Sequence, residues 1–277
     1  MPAPPQLAFL NAGKRNGEFS VAYDPRAVAQ QAGNTNYVYA AAQELTLGDP
    51  TVPSCIIAKK TVVYVSADGG QTWTLAPGNA DLPGANNPGA AFDRARLAQN
   101  QVWATDQTIR VASDGTVYLT ILDDSPYASC QDLTILERTA FNRIELFTSA
   151  PGAGHFTGVV VVDDSEGTTN SNGTREFFDL PQLAVSPADP NLAVIFYSGN
   201  FVSPTVLALR TVQRTASGMI VSQPQTNLGL ASESALAFDE AGLLYVVGSD
   251  LSVKQFRRRP AGVRRLRFLG RRTASRS

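Results

Sequence analysis

Four times along this chain a short apolar run meets a turn containing Asp or Gly and then a second run, usually with an aromatic residue. The copies are Phe19 to Asp24 with Tyr37 to Ala41, and Thr108 to Ser113 with Thr116 to Thr120. The third pairs Leu183 to Ser186 with Leu192 to Tyr197, and the fourth Ala235 to Asp239 with Leu243 to Val247. Alternation of the kind seen from Thr116 to Leu122 has the period of a strand, not of a helix. Turns such as Ser113-Asp114-Gly115 and Asp239-Glu240-Ala241-Gly242 supply hairpin chemistry. The frequent Gly (22) and Pro (17) suit many short strands joined by turns.

After each of the first three phrases comes an outer hairpin. The first is Thr61-Val62-Val63-Tyr64-Val65 running into Ser66-Ala67-Asp68-Gly69-Gly70-Gln71-Thr72-Trp73. The glycines tolerate positive φ, Asp68 can cap backbone N–H groups of the turn, and Trp73 can bury its ring against the hairpin. The second runs from Arg143 to Ser149 and on to Phe156. Laid on the first at equal spacing, Ser149 falls on Ser66, Pro151 on Asp68, Gly152 on Gly69, His155 on Thr72 and Phe156 on Trp73. The third runs from Val206 to Val212 and then Met219 to Val221. Four strands per unit, recurring every roughly 50 to 90 residues, predict propeller blades with inserted loops. The longest interruptions fall at 77–105 and 163–180.

The pattern S-x-D-x-G-x-T-W at Ser66, Asp68, Gly70, Thr72 and Trp73 resembles the Asp-box, or BNR repeat, of sialidase- and sortilin-type β-propellers. Ser149, Gly152 and Phe156 resemble a degenerate second copy. The resemblance implies an all-β fold: a β-propeller of four-stranded antiparallel blades with Asp-box hairpins. It also implies that the box is a structural hairpin, away from the ligand face. Sialidase-like rings have six blades and related rings up to ten. Four units do not complete such a ring, so we expect either a truncated reading of a longer propeller or a small one of four or five blades. The expected organisation is an N-terminal extension over 1–16, the propeller over 17–256 and an Arg-rich tail over 257–277.

Charge separates the tail from the body. Residues 257–277 hold nine Arg and no acid, whereas residues 1–256 hold 14 Lys plus Arg against 24 Asp plus Glu. One reading of the tail is contact with nucleic acid or an anionic surface. The favoured one is a solvated end without stable structure, since nine arginines repel and only Val263, Leu266, Phe268 and Leu269 could be buried. Nucleic acid is therefore not an expected partner. No apolar window reaches the length of a membrane span. The first residues, Met1-Pro2-Ala3-Pro4-Pro5, do not read as a secretory signal, although the resemblance implies an extracellular or periplasmic protein.

The inventory of reactive side chains is narrow. The sole histidine, His155, stands in a turn, and no G-x-S-x-G elbow accompanies it. Multi-histidine and all-cysteine metal sites are excluded by count. Cys55 and Cys130 could form one disulfide in an exported protein or stay unpaired. Asp163, Asp164, Glu166 and Asn170 place hard oxygens in one loop, a candidate calcium site outside the EF-hand spacing; a plain polar loop is the favoured reading, and no cofactor is expected.

The sialidase resemblance implies an Arg triad for a substrate carboxylate, a Tyr nucleophile with a Glu partner, and an Asp acid/base. Bidentate guanidinium forks explain the Arg requirement. The Arg-Ile-Pro motif of that family is absent. Arg94, Arg96, Arg110, Arg143, Arg175 and Arg210 lie in no recognisable family context, nor do Tyr197 and Glu233 as a nucleophile pair. Catalytic residues thus stay unassigned. The expected function is a non-catalytic propeller that presents a face to a protein or glycan. A divergent sialidase-like glycoside hydrolase is the alternative, followed by anionic-surface or nucleic-acid binding through the tail.

Overall fold

The computed structural model describes residues 15–26, 36–47, 56–76, 104–124, 142–152, 156–164, 178–199, 206–224, 228, 234–248, 252–258 and 266–273. They form sixteen strands and, among the described residues, no α-helix. Each run of four consecutive strands is one antiparallel sheet. The first holds β1 (Arg15–Tyr23), β2 (Val38–Leu47), β3 (Ile56–Ser66) and β4 (Thr74–Leu75). The second holds β5 (Ala104–Val111), β6 (Val117–Asp124), β7 (Asn142–Ser149) and β8 (Phe156–Asp164). The third holds β9 (Phe178–Val185), β10 (Leu192–Gly199), β11 (Val206–Thr215) and β12 (Gly218–Val221). The fourth holds β13 (Ser234–Phe238), β14 (Leu244–Gly248), β15 (Ser252–Arg258) and β16 (Leu266–Thr273). The first two strands of every sheet are those of the recurring phrase.

The sheets stack face to face in sequence order, as propeller blades do. Strand alternation sends neighbouring residues to opposite faces. In β6, Val117, Leu119 and Ile121 meet Tyr39, Ala41, Val63 and Val65 of the first sheet, while Tyr118 and Leu122 meet Leu183, Ile195 and Tyr197 of the third. On β10, Val194 and Phe196 pack against Leu236, Leu244, Val246 and Phe256 of the fourth sheet. Every residue from Leu192 to Tyr197 is therefore buried. A strand covered on both faces reads as a continuous apolar run, and this one does. The leading strands pack in a row, β1 on β5, β5 on β9 and β9 on β13, with no comparable packing of β13 back on β1 among the described residues. The described residues thus form an all-β assembly of four propeller-type blades that, among themselves, are not closed into a ring.

Several boundaries differ from the sequence reading. The loop expected at 77–105 gives way to β5 at Ala104, and the loop expected at 163–180 is trimmed at both ends by β8 and β9. The larger correction concerns the Arg-rich tail, expected to lack structure from residue 257. β15 runs on to Arg258, and β16 pairs along it from Ser252↔Thr273 to Arg258↔Leu266. Without that partner β15 would present a row of unsatisfied backbone groups, and ladder hydrogen bonds are indifferent to side-chain charge. Of the N-terminal extension expected over 1–16, Arg15 and Asn16 already belong to β1; residues 1–14 and the remainder of the tail lie outside the described residues.

Candidate functional site

The leading strands of the first three sheets line an open cavity of about 410 Å³ bordered by Ser20, Asp106, Gln107, Thr108, Arg110, Leu180 and Gln182. Its walls come from β1, β5 and β9, and two of these carry the same distortion. In β5 the register slips between Thr105 and Thr108, where Asp106 adopts φ 49°. In β9 it slips between Asp179 and Gln182, where Leu180 adopts φ 50°. Both residues are third in their strands, so one β-bulge recurs at the same place in adjacent blades. A left-handed backbone at a side chain other than Gly costs on the order of 1 kcal/mol and is held by its surroundings. Here the Thr108 hydroxyl donates to Pro181 O at 3.0 Å, tying one bulge to the other. Ile109 N–H donates to the Ser20 hydroxyl at 3.1 Å and ties β5 to β1. Bulges re-aim side chains, and these turn Asp106 and Leu180 to the cavity.

Arg110 supplies the cavity's positive charge. It is partly buried, and burial lowers its pKa from the ordinary value; a guanidinium nevertheless stays protonated at neutral pH. Among the described residues its hydrogen bond goes from Nη1 to Ile109 O at 2.7 Å. The site therefore combines a cation, a carboxylate, two amides and, in Leu180, an apolar surface 40% exposed. Few convergent polar groups beside an apolar patch is the ordinary make-up of a small-ligand site.

The Ser66–Trp73 turn lies elsewhere and is held largely by its own side chains, with Gly69 N–H donating outside it to Asn36 O at 2.9 Å. Asp68 Oδ1 accepts from the N–H groups of Gln71 and Thr72, each at 2.9 Å, and from the Ser66 hydroxyl at 2.7 Å. Its Oδ2 accepts from the Thr72 hydroxyl at 2.6 Å. Gly70 N–H donates to Ser66 Oγ at 2.8 Å, and Trp73 Nε1 donates to Gly70 O at 3.0 Å. Gly69 and Gly70 have φ 77° and 94°, a conformation that side chains other than Gly adopt at a cost. Trp73, half-buried, packs against Ala40, Ala42, Val62 and Tyr64. Trp73→Ala should cost about 2 kcal/mol, below the full-burial value because the ring is partly exposed. The Thr72 hydroxyl and N–H, followed by Ser66, hold the Asp68 carboxyl well below the usual carboxylate range. Its contribution is thus present above the unfolded pKa near 4 and lost as pH falls below it. Asp68→Ala should lower the urea midpoint at pH 7 and flatten its decline at acid pH. A parental midpoint in that variant would show that the carboxylate is dispensable to the turn.

In the second hairpin Ser149 ends β7 as Ser66 ends β3, and Phe156 pairs with Ser149 at the start of β8. Phe156 is buried edge-on to Phe147, 6.5 Å between centroids, on the face turned to the first sheet. Pro151 offers no carboxylate, and this turn is held from outside: Gly152 N–H donates to the Tyr39 hydroxyl of the neighbouring sheet at 2.7 Å. Gly152 has φ 73°, and a Cβ there would meet the Tyr37 ring at 2.6 Å. His155 lies outside the described residues, as do Cys55, Cys130, Glu166, Asn170, Arg94, Arg96, Arg175 and Glu233.

Asp163 and Asp164 end β8, each on an arginine. Asp164 is 2.6 Å from Arg143 Nε. Asp163 Oδ2 accepts from Arg210 Nη2 at 2.5 Å and Nε at 3.0 Å, and from the Tyr197 hydroxyl. Arg210 also donates to Tyr197 Oη at 3.2 Å and to Ser222 O at 2.9 Å. Burial pushes the Tyr197 hydroxyl far above its ordinary pKa, and the Asp163 charge pushes the same way. Among the described residues no His, Cys, Asp and Glu group has metal-site geometry. The cavity itself was reached by sequence only at Arg110. Asp106, Gln107, Leu180 and Gln182 carry no motif, and a bulge in a non-glycine strand leaves no compositional mark.

No protein-family model matches the chain, and no curated protein matches it. Among solved structures, a Hadza microbial sialidase aligns over 87% of this chain and 43% of its own, with 11% identity and a TM-score of 0.50. The chain thus spans less than half the length of that enzyme. The catalytic domain of Microbacterium saccharophilum K-1 β-fructofuranosidase aligns over 86% of this chain and 61% of its own, with 11% identity and a TM-score of 0.46. An endo-arabinase from Bacteroides thetaiotaomicron aligns over 89% and 73%, with 11% identity and a TM-score of 0.42. At these identities the likeness is one of fold, and it rests on the sialidase.

Proposed function

We propose that this chain is a glycan-binding propeller of the Asp-box type, acting without catalysis, in an exported protein. The cavity between β1, β5 and β9 carries the proposal: carboxylate, amide and guanidinium groups converge there beside the exposed face of Leu180. Sugars present hydroxyls to the first and C–H faces to the second. The side-chain bonds that Asp68 makes within its turn support the Asp-box reading, and the sialidase among the structural neighbours supports a saccharide ligand. Absence of catalysis is supported by Tyr197, whose hydroxyl is held by Asp163 and Arg210 and whose raised pKa opposes formation of a phenolate nucleophile. The sialidase-like alternative draws on Arg110, a cation aimed at a ligand space. The test is a glycan panel probed with the parent and with Arg110→Ala, alongside a fluorogenic sialoside. Saccharide binding weakened about tenfold or more in the variant, roughly the worth of a charge-assisted hydrogen bond, and no turnover are expected. Turnover abolished by Arg110→Ala would establish the hydrolase instead, and binding indifferent to Arg110 would move the ligand elsewhere.

A further inference from the structure

The two bulges that border the cavity stand at one structural position. Ala112 N–H donates to Thr116 O and Ser186 N–H to Leu192 O, each at 2.9 Å, closing the first hairpins of the second and third sheets. Six residues before these donors lie Asp106 and Leu180. The same count from Asp24, whose N–H closes the first hairpin on Tyr37 O, reaches the slip of β1 between Gly17 and Phe19. The bulge therefore belongs to the scaffold, and the blades differ in the side chain it presents. Asp is an ordinary occupant, because a short polar side chain eases the left-handed backbone. Leu180 has no such group, yet its φ is 50°. It also precedes Pro181, and the residue before a proline is ordinarily extended. Other groups hold the conformation: Asp179 Oδ1 accepts from Leu180 N–H at 2.9 Å, and Pro181 O accepts from the Thr108 hydroxyl at 3.0 Å. The leucine side chain itself is 40% exposed and, among the described residues, is the only apolar one lining the cavity. Folding gains little from such an outlier, which points to function instead.

We infer that Leu180 makes the site selective for a 6-deoxyhexose, covering the exocyclic methyl where a hexose carries a hydroxymethyl group. The inference rests on the glycan-binding reading of the cavity and adds the class of sugar. A lone isobutyl group matches a single methyl. An aromatic ring would cover a whole sugar face, and among the described residues none lines the cavity. A hydroxyl set against Leu180 would lose its water partners without gaining another. An acetamido methyl brings a carbonyl with it, and the backbone beside Leu180 has no N–H to offer. That of Leu180 is engaged by Asp179, and Pro181 has none. Arg110 and Gln182 stand in the same cavity to meet ring hydroxyls.

Competition binding tests the inference with hexose and 6-deoxyhexose pairs of galactose, glucose and mannose configuration, and saturation-transfer NMR shows which sugar protons touch the protein. In the pair that binds, the deoxy sugar should be about fourfold tighter, roughly the worth of one buried methyl group. Its methyl protons should receive the strongest transfer. Leu180→Asn, which tolerates the left-handed backbone, should unfold cooperatively in urea as the parent does and lose the preference. Leu180→Met should keep it. Equal affinities within every pair overturn the inference. So does a preference that survives Leu180→Asn, or one for N-acetylglucosamine over glucose in place of the deoxy preference. Where sugars bind without the deoxy preference and Arg110→Ala weakens them, the glycan reading stands and this inference alone falls. Where no sugar binds, or Arg110→Ala changes nothing, the glycan reading falls and takes the inference with it.

Discussion

Arg210→Met should destabilise the fold by about 3 kcal/mol at pH 7, because it strands the Asp163 carboxylate between two sheets. The side chains of Arg210 and Asp163 are 14% and 15% exposed, so water recovers little of the lost interaction. Arg210 also bridges within its own sheet through Ser222 O, and its removal breaks that bond as well. Burial alone would lower the pKa of Arg210; Tyr197 and Asp163 more than offset it, and the net shift is upward. Breaking one side of such a group costs more than removing both. The double variant Asp163→Asn, Arg210→Met should therefore regain at least half of the loss. Urea denaturation of the parent, the single and the double variant measures this. A single variant within about 0.5 kcal/mol of the parent would show that the cluster is held open to water.

Alkaline pH should have the second large effect. Burial raises the hydroxyl of Tyr197 far above its ordinary range and that of Tyr118 to about 12, in spite of Arg214 nearby. Burial also raises Tyr39, partly offset by the bond from Gly152 N–H. In the unfolded chain these groups ionise near pH 10. Between that value and the folded pKa the native state retains protons that the unfolded state has released, so stability falls as pH rises. It is fully present below about pH 10, and each such tyrosine removes at most roughly 1.4 kcal/mol per pH unit above it. From pH 10 to 12 Tyr118 and Tyr197 together should cost about 4 kcal/mol, allowing for screening of part-buried hydroxyls. Tyr118→Phe should start lower, having lost the bond to Pro190 O, and decline less steeply. Equal urea midpoints at pH 8 and 11 would contradict the prediction.

The strands were legible because their signals are local. Val62 to Val65 and Val117 to Leu122 alternate between two faces, and Ser113-Asp114-Gly115 closes its hairpin with bonds inside the turn, Gly115 N–H to Ala112 O and Thr116 N–H to Asp114 Oδ1, each at 2.9 Å. β16 was illegible for the opposite reason. Its side-chain pattern argues for solvent, and the backbone of β15 determines its place. Asp163 and Asp164 read in the sequence as part of a polar loop; the arginines that engage them are Arg210 on the next sheet and Arg143 on the adjacent strand.

The sequence by itself determined the four-fold recurrence of antiparallel units and the turn around Asp68. In that turn the side-chain hydrogen bonds of Ser66, Asp68, Thr72 and Trp73 join residues no more than four apart, so its signal is local even though Gly69 N–H also reaches Asn36 O. Only the tertiary structure decided the cavity and the Asp163–Tyr197–Arg210 cluster. Thr108 reaches Pro181 across 73 positions and Ile109 reaches Ser20 across 89, so these contacts exist only once sheets have stacked. Alternation tells a strand which side chains face inward. It does not say which neighbouring sheet lies there, nor where a bulge must bend the strand to meet it.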